Sequence, residues 1–262
     1  MRKYGKLLLA GLLILGLMVA MVGCGGADKS KQADTEKVYN VGSETTYPPF
    51  EMVEKGKYTG FDMELIQAIA DAGGFKIKIV SLGFDGLIPA LQAGNIDAAI
   101  SAMTITDKRK EAVDFSNPYF DSGLIVAVRS DDTTIKSIDD LQGKVIAVQI
   151  GTTGANMAQT VKDKDPKTTI KTFNTVDLAF AEMANKGCDA VINDMPVTGD
   201  YISKGHPEAK MVGELLSGEQ YGIPVKKGNK EMLAKINDGL AKVKESGKYD
   251  EIYKKYFGEM PQ

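Results

Sequence analysis

Ala93-Gly94-Asn95-Ile96-Asp97-Ala98-Ala99-Ile100 and Asn185-Lys186-Gly187-Cys188-Asp189-Ala190-Val191-Ile192 follow one pattern. Each closes a helical window with glycine and opens a strand with Asp-Ala, the chemistry of a helix-to-strand loop. Two similar α/β lobes account for this echo, and so does convergent loop chemistry. To either side, β-branched runs at 39–43, 77–82, 98–103, 124–128, 145–150, 169–173, 190–193 and 211–215 alternate with helical windows. Those windows, at 62–72, 85–93, 152–162, 176–185 and 230–246, carry apolar residues at i, i+3 and i+4. The last continues into 249–257 as a C-terminal helix. This alternation predicts an α/β fold with mostly parallel strands.

The chain has 262 residues, 43% hydrophobic and 26% charged, an ordinary globular makeup sufficient for one large domain or two modest ones. A net charge of −3 supplies no basic footprint, so no nucleic-acid partner is expected. His206 is the only histidine and lies in Lys204-Gly205-His206-Pro207, read as a solvated turn. No C-x-x-C, H-E-x-x-H, G-x-S-x-G or phosphate-loop signature occurs, so no metal, cofactor or familiar catalytic centre is expected.

Arg2, Lys3 and Lys6 precede an uncharged apolar run at 7–22, sixteen residues. That is shorter than the about 20 residues a spanning helix needs. A basic start before such a run is a secretory signal, with a retained membrane helix as the alternative. Met21-Val22-Gly23-Cys24 resembles a bacterial lipobox, with Met21 where leucine is usual. The resemblance implies a signal peptide at 1–23, lipid on Cys24, and a polar, flexible tether at 24–37. The mature chain is then 262 − 23 = 239 residues. With Cys24 acylated, Cys188 has no disulfide partner and reads as a small buried apolar residue in a strand.

Glu44-Thr45-Thr46-Tyr47-Pro48-Pro49-Phe50-Glu51, Gly60-Phe61-Asp62, Phe84-Asp85-Gly86-Leu87-Ile88-Pro89-Ala90-Leu91, Thr104-Ile105-Thr106-Asp107-Lys108-Arg109 and Asp114-Phe115-Ser116-Asn117-Pro118-Tyr119 occur in this order. Together they resemble the polar amino-acid-binding proteins of ABC importers, over essentially all of 38–258. The resemblance implies a type II periplasmic-binding-protein-like fold, with two lobes, two crossover hinge strands and a ligand cleft between the lobes. Lobe 1 is then 38–122 plus 220–262, lobe 2 is 123–219, and the crossovers run through 121–124 and 217–222. The implied partners are an amino acid, a transporter permease and, through the lipid, the membrane. The protein is expected to be an exported, non-enzymatic monomer on the outer face of the cell membrane or facing the periplasm.

A closed cleft must pair both charges of a free amino acid, because an unpaired buried ion is very costly. Arg109 is the candidate for the carboxylate, on a helix capped by Thr104 or Thr106. Read alone, it is one charge of a solvated face, Asp107-Lys108-Arg109-Lys110-Glu111. Asp194 matches the family's ammonium-binding aspartate, and alternatively caps the helix starting at Met195-Pro196. Thr104, Thr153 and the backbone of Ala102 align with polar ligand contacts, beside Met103 at the same strand end. Thr152 belongs to Gly151-Thr152-Thr153-Gly154, a turn opening a helix, where amides suit an anion. A phosphate loop is the competing reading, but its lysine is absent. Tyr47 and Phe84 match aromatic walls around the ligand side chain, Phe84 being also a plausible core residue. Glu44 matches an acidic position deep in the side-chain pocket. Gln149 stands where glutamine-type relatives carry a lysine that would repel a cation. This tilts the expected ligand to arginine, with lysine or ornithine next, although Gln149 and Asn193 also suit a glutamine amide. Two other classes compete: a cyclohexadienyl dehydratase-like enzyme, which needs an acid or base free of the ammonium, and a sensory domain, ordinarily fused to a signalling module.

Overall fold

The computed structural model describes residues 37–258. The expectations for the signal peptide, Cys24 and the tether before Lys37 lie outside the described residues. Two five-stranded sheets form the framework. The first runs in the order Lys76–Ser81, Val38–Ser43, Ala98–Ala99, Pro224–Lys226 and Val113–Phe115. The second runs Thr169–Phe173, Val145–Gln149, Ala190–Asp194, Leu124–Arg129 and Ala209–Val212.

The echo in the sequence occupies the same place in both sheets. Asp97 exchanges hydrogen bonds with Asn40: its amide donates to the Asn40 carbonyl (2.8 Å) and its carboxylate accepts from the Asn40 amide (2.8 Å). Asp189 does the same with Val145, at 2.8 and 2.7 Å. Each aspartate thus ties the start of its strand to the neighbouring parallel strand. The loops differ in how the helix ends. Gly94 takes the left-handed position in the first, whereas Lys186 (φ +61°), not Gly187, takes it in the second.

Each sheet has two parallel and two antiparallel pairings, so the sheets are mixed rather than mostly parallel. The reason is the double crossing. Phe120–Ser122 and Glu219–Tyr221 pair antiparallel as the two connecting strands. Leu124–Arg129 and Pro224–Lys226 each follow a crossing and enter their sheet from the cleft side. They therefore run opposite to the parallel strands, whose C-terminal ends point toward the cleft. Behind the crossings, Phe50, Phe61, Phe120, Tyr221 and Phe257 pack as one aromatic cluster, with Phe120 stacked on Tyr221 at 5.6 Å between centroids.

The helices Phe61–Gly73, Leu87–Ala93, Thr153–Lys164, Val176–Ala184 and Lys230–Glu245 lie where the periodicity placed them. Gly247 (φ +75°) breaks the expected continuous C-terminal helix and starts a separate one at Lys248–Phe257. The last strand of the second sheet is Ala209–Val212, displaced toward the N-terminus from the expected 211–215. The run at 98–103 is a strand only at Ala98–Ala99, because Ala102 turns the chain at φ +43°. Cys188 is buried just before its strand, and burial pushes its thiol up to about 12. His206 is not simply solvated: it stacks on Tyr201 at 3.8 Å and bonds Glu208 at 2.9 Å.

Candidate functional site

The cleft between the sheets holds a small, nearly closed cavity lined by Tyr47, Phe84, Ser101, Ala102, Thr104, Arg109, Gln149, Thr152, Thr153 and Asp194. Its position at the ends of parallel strands is where open α/β sheets ordinarily bind ligands. All but Ser101 were candidates from sequence.

Arg109 rides on the short helix Asp107–Ala112, whose N-cap is Thr106: its hydroxyl accepts from the Arg109 amide at 3.2 Å. The guanidinium donates to the Thr104 carbonyl (2.7 Å) and, across the cleft, to the Gly151 carbonyl (3.1 Å), and lies 5.3 Å over the Phe84 ring. Phe84, half-buried, therefore serves as both core edge and cavity wall. Burial pulls the Arg109 guanidinium below its ordinary value, opposed by Glu219 and Asp194. Gly151 suits its φ of +78°, and a Cβ there would make a tight 3.1 Å contact with the Asp85 Cβ on the facing lobe.

Asp194 ends the strand Ala190–Asp194 at the N-cap position of the helix Met195–Ser203, yet its side chain makes no capping bond. Its carboxylate accepts instead from the Tyr221 hydroxyl. Burial raises it to about 7, with Tyr221, Tyr47 and Arg109 acting in the opposite sense. An incoming cation would relieve this penalty. Tyr47 is buried, and its hydroxyl donates to Asn193 Oδ1 at 2.8 Å, tying the two lobes. Thr152 uses its hydroxyl to cap the helix Thr153–Lys164, accepting from the Ala155 amide at 3.1 Å, so it shapes the turn rather than offering a free hydroxyl.

Glu44 is buried just beyond the cavity wall, where Thr46 donates to it and the Gln149 amide faces it. Desolvation pushes its carboxyl up, those two donors pull it down, and Asp177 adds a further upward push. Met103 does not reach the cavity. Its side chain packs with Leu87, Leu91 and Val113, and its carbonyl accepts from the Gly222 amide. The residue follows the turn at Ala102, which reverses the alternation expected of a continuous strand.

Two residues were missed. Ser101 lines the floor, its hydroxyl accepting from the Glu44 amide (3.0 Å). Glu219, on the returning crossover, accepts from Thr104 (2.6 Å) and Thr153 (3.1 Å) and so joins both sides of the cleft. Nothing in the flanking Gly218-Glu219-Gln220 distinguishes that acid from a surface residue. Among the described residues no group of histidine, cysteine, aspartate or glutamate is placed to hold a metal ion.

Two α/β lobes, a double crossover and a charged, aromatic-walled cleft define a two-lobed solute-binding protein. The chain belongs to the bacterial extracellular solute-binding proteins, family 3, whose model matches residues 39–259. A probable histidine-binding protein of Neisseria gonorrhoeae is 39% identical, over 92% of this chain and 92% of that one. An ancestral arginine-binding protein, solved bound to arginine, superposes with a TM-score of 0.81 at 43% identity, covering 84% of this chain and 98% of that one. The structure of an ancestral arginine-binding protein bound to glutamine gives 0.80 at 44%, covering 85% and 98%.

Proposed function

We propose that this protein captures a basic amino acid, arginine first, and delivers it to an ABC importer. The observation that carries the reading is the charge pattern of one small cavity. Arg109 faces a place for a carboxylate, Asp194 is a buried carboxylate lacking a cation, and Glu44 is a second such acid beyond the aromatic walls. Arg109 answers two buried acids, Glu219 and Asp194, while Glu44 lies buried just beyond the cavity wall with only Thr46 and Gln149 as donors, so a ligand bringing two positive charges and one negative improves the balance most. A neutral side chain leaves Glu44 unpaired.

Glutamine is the second reading. It is favoured because the Gln149 amide and Thr46 already solvate Glu44, and because a 44% identical ancestral arginine-binding protein was solved with glutamine bound. An elimination enzyme is disfavoured, because the cavity acid Asp194 is held by the Tyr221 hydroxyl in a position suited to an ammonium. The lobes are assigned as 38–122 plus 220–262 and 123–219, and ligand binding to Glu44, Tyr47, Phe84, Ala102, Thr104, Arg109, Gln149, Thr152, Thr153, Asn193 and Asp194. The mature protein acts as a monomer, exported and held at the membrane by lipid on Cys24, facing the permease. Calorimetry on ligand-stripped protein tests the ligand: saturable heat with L-arginine and weaker binding of L-glutamine support the reading, and binding of glutamine alone overturns it. Radiolabelled palmitate incorporated into the full-length chain and lost in Cys24→Ala tests the anchor.

A further inference from the structure

Beneath the cavity floor lie two carboxyl groups that do not line the cavity. Glu51 and Asp62 are both fully buried. Gly60 lets them meet: at φ +122° it carries no Cβ, which would stand 2.2 Å from the Phe50 carbonyl, so the turn that ends at Phe50 lies against the helix start bearing Asp62. The Asp62 amide accordingly donates to the Phe50 carbonyl at 2.9 Å.

Each acid holds one residue of the floor. Glu51 Oε1 accepts from the Ser101 hydroxyl at 2.7 Å, and that hydroxyl in turn accepts from the Glu44 amide. Asp62 Oδ2 accepts from the Ala102 amide and from the Tyr119 hydroxyl, both at 2.8 Å. Ala102 is held at φ +43°, a conformation that a residue with a side chain adopts only when its surroundings impose it. The remaining oxygens, Glu51 Oε2 and Asp62 Oδ1, are buried without a partner, and the two side chains face each other. Two adjacent carboxylates in a dry interior cannot both stay ionised, and one proton between them satisfies both orphan oxygens at once.

We propose that Glu51 and Asp62 form a carboxyl–carboxylate pair sharing one proton, which clamps Ser101 and Ala102 in their turned conformation and makes both acids positioning residues for the amino-acid site. Burial and the Asp62 charge raise Glu51 well above the carboxylate range, so Glu51 carries the proton and donates it to Asp62. The other titratable groups turned toward the pair are Glu44, Tyr47, Tyr119 and Tyr249. The link to binding rests on the reading of the cavity as an amino-acid site, while the shared proton does not.

Glu51→Gln keeps a donor toward Asp62 and an acceptor toward Ser101, whereas Glu51→Ala removes both. The expected result is L-arginine affinity within about threefold of wild type for Glu51→Gln and at least about tenfold weaker for Glu51→Ala. Glu51→Gln combined with Asp62→Asn sets amide against amide with no shared proton, and should lose as much as Glu51→Ala. Without ligand, carbon-13 spectra of side-chain carboxyls should show one protonated carboxyl at pH 8 that vanishes in Glu51→Gln. Melting should place that variant at or above wild type at pH 8. Equal losses in Glu51→Gln and Glu51→Ala, or no protonated carboxyl at pH 8, would overturn the proposal. If wild type ignores arginine altogether, the functional reading fails, and the spectra and melting still judge the pair.

Discussion

The two lobes start from the same turn and end it differently. In both, an aspartate at the strand start exchanges two hydrogen bonds with the neighbouring strand, Asp97 with Asn40 and Asp189 with Val145. The second strand then runs straight for five residues and delivers Asp194 to the cleft. The first stops after two, turns at Ala102, and presents Ser101 and backbone as a floor. One repeated device thus yields a charged anchor on one side and a shaped surface on the other. A ligand with distinct ends can be oriented by that asymmetry.

The largest expected effects come from the groups that answer the ligand's own charges. Arg109→Ala and Asp194→Ala should each weaken every bound amino acid at least about 100-fold, since truncating one partner of a buried charge pair leaves the other unpaired. Retention of affinity in isothermal titration by either variant would remove that residue from the site. Acid should imitate the second change. With Asp194 near 7 in the empty cleft, ligand ammonium must displace a proton below that pH. Arginine affinity should fall about tenfold per unit of pH below 7, and Asp194→Asn should flatten the profile. Stability of the empty protein runs the other way. A raised carboxyl stabilises most at low pH, and that contribution is lost between about 4 and 7 as Asp194 ionises.

Next in size is selectivity. Glu44→Gln should weaken arginine by about tenfold and glutamine little, and an equal loss for both would remove Glu44 from the specificity argument. The shared turn itself offers a smaller test. Asp97→Asn and Asp189→Asn should each cost about 1–2 kcal/mol in urea unfolding and leave arginine affinity nearly unchanged. Very unequal costs would mean that the two turns are alike in sequence only. The smallest effect is expected from Tyr47→Phe, which deletes one bond across the cleft, to Asn193, and should change affinity by a few-fold.

Sequence conveyed the architecture well where periodic segments were long, as in Phe61–Gly73 and Lys230–Glu245. It failed where elements were too short to show a period. The hairpin Met52–Glu54 with Lys57–Thr59 and the strand Val113–Phe115 are three-residue pieces stabilised by tertiary pairing. The antiparallel insertions were illegible because direction depends on which side of the sheet the chain enters, a property of the crossings rather than of local residues. At the site, most of the cavity wall was legible from motifs. Met103 points into the core instead of the cleft because Ala102, at φ +43°, interrupts the alternation that a continuous strand would show. Ser101 and Glu219 were missed because a serine within an apolar run and an acid in a polar segment carry no signal until the chain folds them against Glu44, Thr104 and Thr153.

The central claim is that one cleft pairs a carboxylate, an ammonium and a second cation. It is tested most directly by titrating L-arginine and L-glutamine into refolded, ligand-free wild type and Glu44→Gln side by side. Tight arginine binding by wild type that Glu44→Gln largely loses, with glutamine weak in both, is the predicted result. Glutamine bound tightly and arginine not at all, or arginine unaffected by the substitution, would contradict it.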